Sequence, residues 1–392
     1  MNRMSLIYLD NNSTTRVLPE VVEAMAPFWR EQYGNASSLH WLGQTARHAI
    51  EVAREHVAAL INASPREIVF TSGGTESDNL AILGTLAANP NKRHIVTTAV
   101  EHVAVHSLCE RLAKEGYRVT FVGVDREGHL DLNAFAAALS DETALASVMY
   151  ANNETGVIFP IRQIADVCAQ RGVPLHSDAV QAAGKIALDV KSLGVRLMSL
   201  SAHKIHAPKG AGALFVGKGM RLKNQLVGGH QERDIRPGTE NVTAIVAFGE
   251  AARLAKRRLG RGLDDVAALR DTLEAGILRE VPFAHVIGDS ANRTVNTTSI
   301  GFENLEAEAI LIALSERGVC ASSGSACSSG SLEPSHVLKA MGIPEPLAHG
   351  AVRFSLSVET NRQEVDRALE IVAGVARRLA SLAPMADYAA NG

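Results

Sequence analysis

One lysine lies where a buried-looking strand ends, in the stretch "SLSAHKIHAPKGAGALFV". Lys204 follows the predicted strand at 197–203 and precedes a predicted glycine-rich hairpin. Since open α/β sheets bind ligands at the carboxyl ends of their strands, we expect this amine in a crevice. Burial there would lower the pKa of the amine and prepare it to form a Schiff base. Taken alone, an isolated lysine of this kind is more often a solvated loop residue than a catalytic one.

Three other motifs place polar groups at the ends of neighbouring predicted strands. The motif "TSGGTESDN" puts Gly74 and Thr75 between a strand and a helix, where backbone amides can bind a phosphate. The motif "HSDAVQ" ends a strand with Asp178, and a carboxylate facing a pyridinium nitrogen makes pyridoxal phosphate an electron sink. The motif "AVEHVAV" supplies His102, whose ring could stack on such a cofactor and transfer protons. Each motif also has a purely structural interpretation, but their combination with Lys204 favours a cofactor site.

The stretch "ASSGSACSSGS" holds a single cysteine, Cys327, among serines, glycines and alanines. A structural cysteine normally packs among hydrophobic residues, whereas a reactive one lies in a partly exposed and mobile segment. The composition predicts a loop and leaves two interpretations open. Either the thiol is incidental, or it takes part in the chemistry. Cys320, by contrast, ends an apolar run, and we expect it in the core.

The elements that position these residues follow two patterns. Between Arg66 and Gly219, short β-branched runs alternate with amphipathic stretches, which is typical of strand–helix units in a mostly parallel sheet. A glycine- and charge-rich connection at 228–241 leads into helical sequence that continues to Glu280 and is interrupted near "LGRG". Strands and helices then follow in an α+β order. We therefore expect an α/β fold with a large domain at 16–260. A smaller α+β domain at 261–392, joined by segment 1–15, would carry the loop of Cys327.

The bulk composition narrows the class of partner. The 392 residues are 46% hydrophobic and carry a net charge of −3, so they lack the basic field that attracts nucleic acid or an anionic membrane. No apolar run approaches the roughly 18 residues that span a bilayer, and residues 1–15 lack a secretory pattern. The four cysteines contain no CxxC pair, which argues against a zinc site, and we predict no metal site. We expect a cytoplasmic protein that acts on a small molecule.

The motifs, taken in order, resemble those of the cysteine desulfurases in the class V aminotransferase superfamily. The resemblance runs through "YLDNNSTT", "GNASSLHWLG", "FTSGGTESDN", "ANNETG", "HSDAVQAAGK", "SAHKIHAPKG", "GGHQER", "RPGTEN", "SSGSACSSGSLEPSHVLKAMG" and "HGAVRFSLS". The segments "HAPKG" and "GGHQER" are nearer to the NifS-like branch, which serves nitrogenase cluster assembly, than to the housekeeping IscS-like branch. Ser13 and Ala36 depart from the alanine and proline usual in the family, and we expect neither to touch the chemistry.

The resemblance implies a homodimeric pyridoxal-phosphate-dependent transferase of fold type I. Lys204 would hold pyridoxal 5′-phosphate, Asp178 would face the ring nitrogen, and His102 would stack on the ring. The other cofactor contacts that the family implies are Asn153 and Gln181 near the ring hydroxyl, Gly74, Thr75, Ser201 and His203 at the phosphate, and Thr239 of a second subunit at the same phosphate. Arg353 would bind the substrate carboxylate, with Asn35 assisting.

The resemblance also implies a task for Cys327. This thiol would take the sulfur of L-cysteine, leaving L-alanine and an enzyme persulfide, and would pass that sulfur to an iron–sulfur scaffold protein. A polar, glycine-rich loop suits a thiol that must reach both substrate and acceptor. The open alternatives are a housekeeping iron–sulfur desulfurase, a selenocysteine lyase or a transaminase of the same fold, and a scaffold without turnover. A transaminase needs no such thiol, and a scaffold would tolerate loss of Lys204 or Asp178.

Overall fold

The β-branched runs form strands where the sequence predicts them. The computed structural model describes residues 6–260, 262–324 and 334–382. Its strands are β1 (Ile7–Tyr8), β2 (Ile68–Thr71), β3 (His94–Thr98), β4 (Arg118–Val122), β5 (Thr143–Ser147), β6 (Leu175–Asp178), β7 (Leu197–Ser201), β8 (Gly212–Val216), β9 (Ala284–Val286), β10 (Thr297–Phe302), β11 (Val319–Cys320) and β12 (Ala351–Ser355).

A seven-stranded sheet has the order β2–β8–β7–β6–β5–β3–β4. The strands from β7 to β4 run parallel, and β8 is antiparallel to both of its neighbours. The connection from Ser201 to Gly212 is too short for the crossover that a parallel neighbour requires, so β8 returns as a hairpin partner of β7. The prediction of a mostly parallel sheet is confirmed.

Helices cover the sheets on both faces. They are α1 (Pro19–Met25), α2 (Pro27–Arg30), α3 (Trp41–Leu60), α4 (Gly74–Ala88), α5 (Val103–Lys114), α6 (Leu132–Ala138), α7 (Ile161–Gln170), α8 (Val190–Leu193), α9 (Val242–Arg258), α10 (Asp264–Glu280), α11 (Ala307–Ser315), α12 (His336–Ala340), α13 (Glu345–Ala348) and α14 (Arg362–Leu382). Among the described residues, none of these helices combines the length and the apolar character needed to traverse a bilayer.

Side chains that alternate between the two faces of each strand divide the core around the central sheet into two layers. Val69 and Leu197 pack with α4 and α5 on one face, whereas Phe70 and Met198 pack on the other face with α3, α7 and α9. Successive strand side chains point to opposite faces, and both faces are apolar because helices bury both. The sheet is therefore a rigid layer whose strand ends can hold polar side chains in fixed positions.

A second core forms around the antiparallel sheet β12–β10–β9 and helices α10, α11 and α14. Strand β1 pairs in parallel with β11, so the N-terminal segment belongs to this second core. Helix α9 packs on α3 in the first core, and α10 packs on α14 in the second, so the predicted helix break near "LGRG" is confirmed. This packing supports the proposed division of the chain at residue 261. Cys320 lies opposite Tyr8 and is only partly buried, less than a core cysteine would be.

Candidate active site

A cavity of about 370 Å³ opens where β5, β6 and β7 end. This volume falls within the usual range for small-molecule sites. Two elements of the second core close it, the segment at Asn12 and Ser13 and the side chain of Arg353. The predicted residues that line it are Gly74, Thr75, His102, Asn153, Asp178, Gln181, Ser201, His203, Lys204 and Arg353. Residues predicted from separate motifs are thus brought to one surface.

Two predicted residues of the described ranges do not line the cavity of their own chain, Asn35 and Thr239. Asn35 is exposed, and its Oδ1 accepts a hydrogen bond from the backbone of Ser37 at 2.9 Å in a local turn. Thr239 is exposed as well. Cys327 lies outside the described residues, and Gly324 is the described residue before it that lines the cavity.

Lys204 ends the 3-10 turn Ala202–Lys204 that follows β7. Its Nζ donates hydrogen bonds to the backbone oxygens of Asn12 at 2.5 Å and Ser13 at 2.8 Å. These carbonyls come from the N-terminal segment, which β1 ties to the second core. The amine is therefore held between the two cores. Burial first, and the charge of Lys204 second, lower the pKa of the adjacent His203 to about 4.

Asp178 is the last residue of β6 and is buried. Its Oδ1 accepts a hydrogen bond from the backbone N–H of Val180 at 2.9 Å. Burial raises the pKa of this carboxyl, while the nearby ring of His102 and the amine of Lys204 lower it. A donor or a cation placed in the cavity beside Asp178 would stabilise the charged carboxylate further.

His102 begins helix α5 as its N-cap, and its Nδ1 accepts a hydrogen bond from the backbone of Ala104 at 3.2 Å. Burial lowers the pKa of the ring, so the imidazole is neutral near pH 7. Since Nδ1 is an acceptor, the neutral ring carries its hydrogen on Nε2. The cap thus fixes both the position and the tautomer of this side chain.

Helix α4 begins at Gly74, so its positive end meets the cavity at Gly74 and Thr75. A Cβ atom at Gly74 would lie 2.8 Å from Cγ2 of Val180 and 3.7 Å from Cβ of Ser201. The turn can therefore approach the ends of β6 and β7 only because residue 74 has no side chain. This geometry leaves the first turn of α4 accessible to an anion.

Arg353 lies on β12 and is almost completely buried. Its Nη1 donates to the backbone oxygen of Asn153 at 2.8 Å, and its Nη2 donates to Asp10 Oδ1 at 2.9 Å and Ser13 Oγ at 2.8 Å. Its Nε has no hydrogen-bond partner within the described ranges. A buried, oriented guanidinium of this kind can bind a carboxylate.

The expectation that Ser13 does not touch the chemistry is wrong. Its hydroxyl contacts Arg353 and its carbonyl oxygen contacts Lys204, and the residue lines the cavity. The physical reason is the pairing of β1 with β11, which carries the following residues across the cavity. Local sequence offers no sign of such a long-range pairing.

Two buried carboxyls near Asp178 were not predicted. Asp78 lines the cavity from α4, and its Oδ1 has no hydrogen-bond partner in the described part of the chain. His176 Nε2 lies 3.6 Å from that oxygen, but burial lowers the pKa of His176 to about 3, so this ring provides no positive charge. Burial first, and the charge of Asp178 second, raise the pKa of Asp78 well above its usual range.

The second carboxyl, Glu101, immediately precedes His102 and is completely buried. Its Oε1 accepts hydrogen bonds from Thr98 Oγ1 at 2.6 Å and from the backbone of Met149 at 3.0 Å. Burial raises the pKa of Glu101 to about 8. The available signal for both residues was an acid close to a predicted site residue and next to apolar sequence.

The cavity can therefore hold one molecule with several distinct chemical groups. The start of α4 can bind an anion, and Asp178 can accept a hydrogen bond from a ring N–H. The amine of Lys204 can bond to a carbonyl carbon, and Arg353 can bind a carboxylate. The neutral ring of His102 lies at the same surface. No single one of these features identifies a reaction, but their combination matches an amino acid bound beside a phosphorylated carbonyl compound.

Comparison with known proteins gives a consistent result. The profile of the family described as aminotransferase class-V matches residues 7–368. The chain is 51% identical over 381 residues to a cysteine desulfurase of Trichormus azollae, covering 97% of this chain and 95% of that protein. It is 50% identical over 390 residues to the cysteine desulfurase NifS of Azotobacter vinelandii, covering 99% and 96%.

Solved structures are similar over the same extent. A structure titled NifS-like protein superposes with a TM-score of 0.90 at 36% identity, covering 95% of this chain and 100% of that chain. A structure titled SspA in complex with cysteine superposes with a TM-score of 0.80 at 33% identity, covering 89% and 98%.

Proposed function

We propose a role for each residue of the site, from the premise that this chain belongs to the class-V aminotransferase family and is a cysteine desulfurase of fold type I. It takes the sulfur of L-cysteine with the help of pyridoxal 5′-phosphate, releases L-alanine, and keeps the sulfur as a persulfide on Cys327. The proposal rests on one observation, which is that Lys204, Asp178 and Arg353 line the same cavity.

The residues at the cavity fit this cofactor. The bare turn at Gly74 leaves the positive end of α4 open to a phosphate, and the buried carboxyl of Asp178 can accept a hydrogen bond from a ring nitrogen. When bound, pyridoxal phosphate supplies an electron sink for the bonds around the α-carbon of an amino acid. Lys204 holds the cofactor covalently in the resting enzyme.

The polar residues at the rim fix the phosphate and the ring. Gly74, Thr75, Ser201 and His203 bind the phosphate, and Thr239 of a second subunit completes this cradle. Asn153 and Gln181 lie near the ring hydroxyl. Gln181 is held firmly, because its Nε2 donates to the Asn12 carbonyl at 2.9 Å and its Oε1 accepts from Lys185 Nζ at 2.8 Å. The second N–H of that amide remains to donate to a ring oxygen.

His102 stacks on the ring and transfers protons at Nε2. That nitrogen carries the hydrogen because Nδ1 accepts the hydrogen bond that caps helix α5. Arg353 binds the α-carboxylate of L-cysteine, and the acceptors around Arg353 hold its side chain in place. The amine of Lys204 would move a proton at the α-carbon. These residues bind, orient and exchange protons, while the electronic chemistry belongs to the cofactor.

The sulfur-transfer step conserves atoms between two thiols. The Cys327 thiolate attacks the substrate sulfur, a sulfur–sulfur bond forms, and the carbon–sulfur bond of the substrate breaks. The carbon takes up a proton and leaves as L-alanine, and the enzyme retains a persulfide. An acceptor protein then removes this sulfur.

We further propose an iron–sulfur scaffold protein as acceptor, nitrogenase cluster assembly as the setting, and the cytoplasm as the location. The similarity to the NifS of Azotobacter vinelandii supports the nitrogenase setting. A homodimer is part of the same proposal. It is supported by large apolar side chains that are between 67% and 102% exposed, namely Trp29, Tyr33, Leu39, Trp41 and Val227.

The decisive experiment follows both products and the thiol. Purified protein with L-cysteine and a thiol reductant should release alanine and sulfide in equal amounts. Without reductant, mass spectrometry should find one added sulfur on the Cys327 peptide. Cys327→Ala should retain the cofactor absorbance and lose both products, whereas the control Cys320→Ala should retain them.

Each alternative has its own outcome. Undiminished alanine and sulfide from Cys327→Ala would mean that sulfur leaves by a route independent of this thiol. Turnover of L-selenocysteine without turnover of L-cysteine would identify a selenocysteine lyase. Transfer of the amino group to a keto acid would identify a transaminase.

A further inference from the structure

The segment before Thr239 has an unusual backbone. Glu232, Arg233 and Asp234 have φ values of 47°, 58° and 63°, so three consecutive residues other than glycine adopt the left-handed conformation. Such residues usually occur singly, because each one crowds its Cβ against the backbone. A strained run persists only where its surroundings hold it, and strain of this kind concentrates at functional positions. We call residues 231–239 the arm.

A buried ion pair holds the start of the arm. Glu232 accepts two hydrogen bonds from the guanidinium of Arg54, at 2.7 and 2.8 Å, and a third from the backbone of Phe70 at 2.8 Å. The two side chains are only 5% and 4% exposed. Arg54 also donates to the backbone oxygen of Ile68 at 3.0 Å. A buried pair of this kind contributes little to stability in general, so its value lies in fixing one geometry.

Two further contacts hold the rest of the arm. Arg236 Nε donates to Glu76 Oε1 at 2.8 Å, and Glu76 follows Thr75 in the first turn of α4. Gln231 Oε1 accepts from the backbone of Gly238 at 2.9 Å, which closes the arm on itself. Beyond these anchors, Gly238 and Thr239 are exposed, and neither lines the cavity of this chain.

The arm is therefore rigid at its base and exposed at its tip. A strained backbone and a buried charge pair both cost free energy. A surface loop that contacts only its own subunit would need neither. We propose that Arg54 and Glu232 form a positioning pair that acts across the dimer. It aims Thr239 of one subunit into the phosphate cradle of the other. This inference rests on the proposed function, in which Thr239 of a second subunit completes that cradle.

An effect within the same subunit is the competing explanation. The pair also contacts β2, and β2 leads to the turn at Gly74 that binds phosphate in its own chain. A change in Glu232 could therefore disturb either cradle. The two explanations differ only in which subunit binds the cofactor more weakly, so the test must measure binding at each subunit separately.

The first measurement uses homodimers. Glu232→Gln should raise the dissociation constant for pyridoxal phosphate by about tenfold or more, which corresponds to one hydrogen bond to a charged oxygen. Light scattering should still find a dimer. Because Glu232→Gln leaves the charge of Arg54 buried, the double variant Arg54→Met, Glu232→Leu serves as a second, charge-free version. The matched control Glu250→Gln, in a pair with Arg253 on α9, should leave the constant unchanged.

The second measurement uses hybrids with two affinity tags. In the first hybrid, one subunit carries Glu232→Gln and the other carries Lys204→Ala. Its only lysine that can hold the cofactor lies beside an intact arm from the partner, so borohydride should fix one cofactor per dimer with the parent affinity. In the second hybrid, one subunit carries both changes and the other is the parent. Its functional lysine faces the altered arm, so its affinity should fall about tenfold or more.

The reverse pattern, a weak first hybrid and a tight second one, would show that the pair acts within its own subunit and would overturn the inference. A monomeric parent would overturn it too, although release of sulfide from L-cysteine would still support the proposed function. If the hybrids behave as expected but the parent releases no sulfide, the positioning pair stands and the proposed reaction falls.

Discussion

Two groups of ionisable residues in or near the cavity are buried among different partners. The cationic group, Lys204 and Arg353, donates hydrogen bonds to oxygens that include those of Asp10, Asn12 and Ser13. The acidic group consists of Asp78, Glu101 and Asp178. Asp78 and Glu101 each have one buried oxygen with no hydrogen-bond partner in the ranges that the structure describes.

This difference determines which groups are charged. A buried charge is stable only when it is paired. The cationic group has oxygen partners, whereas burial raises the pKa of Asp78 well above its usual range and that of Glu101 to about 8. Burial raises the pKa of Asp178 as well, but Asp178 differs from the other two acids because the nearby amine of Lys204 favours its charged form. Asp178 is thus the acid of the three that a protonated ring nitrogen would hold in its charged form, while Lys204 and Arg353 remain for a carbonyl carbon and a carboxylate.

Removing the cation from the reacting position should have the largest effect. Lys204→Ala should reduce turnover of L-cysteine roughly a thousandfold or more, because the covalent link to the cofactor and a proton-transfer group are lost together. Borohydride reduction followed by peptide mapping should find the cofactor on Lys204 in the parent and on no lysine in the variant. Cofactor fixed to Lys185 or Lys209 in the parent would contradict this assignment.

Neutralising the charged acid should have the next largest effect. Asp178→Asn should lower kcat about a hundredfold, because a neutral amide no longer stabilises a protonated ring nitrogen. Circular dichroism should show an unchanged fold, and steady-state kinetics should place the loss in kcat. Asp78→Asn is the matched comparison, since burial raises the pKa of that carboxyl well above its usual range, and its effect should be far smaller. Equal losses in the two variants would mean that the reaction does not depend on the charge of Asp178 in particular.

Changing the shape of a cation should have a moderate effect. Arg353→Lys keeps the charge but loses the planar fork that binds a carboxylate, so KM for L-cysteine should rise about tenfold, with a smaller change in kcat. The exposed pair of Arg362 with Asp366 provides a control, and Arg362→Lys should leave KM unchanged. A fall in kcat at constant KM would show that Arg353 serves the chemical step instead.

The smallest effect concerns stability and pH. The folded protein holds the proton of Glu101 up to about pH 8, whereas the unfolded chain releases it near the usual pKa of about 4.5. Between these values the folded state binds more protons, so this group lowers the free energy of unfolding as pH rises, by at most about 1.4 kcal/mol per pH unit.

Glu101→Gln removes this contribution, so thermal unfolding of the variant should depend less on pH between about pH 5 and 8 than that of the parent. Compared with the parent, the variant should therefore gain stability as pH rises. Glu308→Gln, at an exposed position on α11, should follow the parent. A parallel pH profile for Glu101→Gln would mean that Glu101 is ionised in the folded protein.

Local patterns in the sequence were sufficient for the strands and for the residues at their ends. The runs before Lys204 and Asp178 are short, largely apolar and bounded by turns, and they contain β7 and β6. Because parallel strands in one sheet end at the same edge, the gathering of these residues with Gly74 and His102 could be inferred without coordinates.

Only the tertiary structure decided the surroundings of those residues. Ser13 reaches Arg353 across 340 positions of the chain because β1 pairs with β11. The burial of Asp78 and Glu101, and the pairing of Arg54 with Glu232 that supports a strained arm, depend in the same way on segments that are distant in sequence. The physical reason is range: periodicity and turn residues act over a few neighbours, whereas burial and charge pairing depend on everything that packs around a side chain.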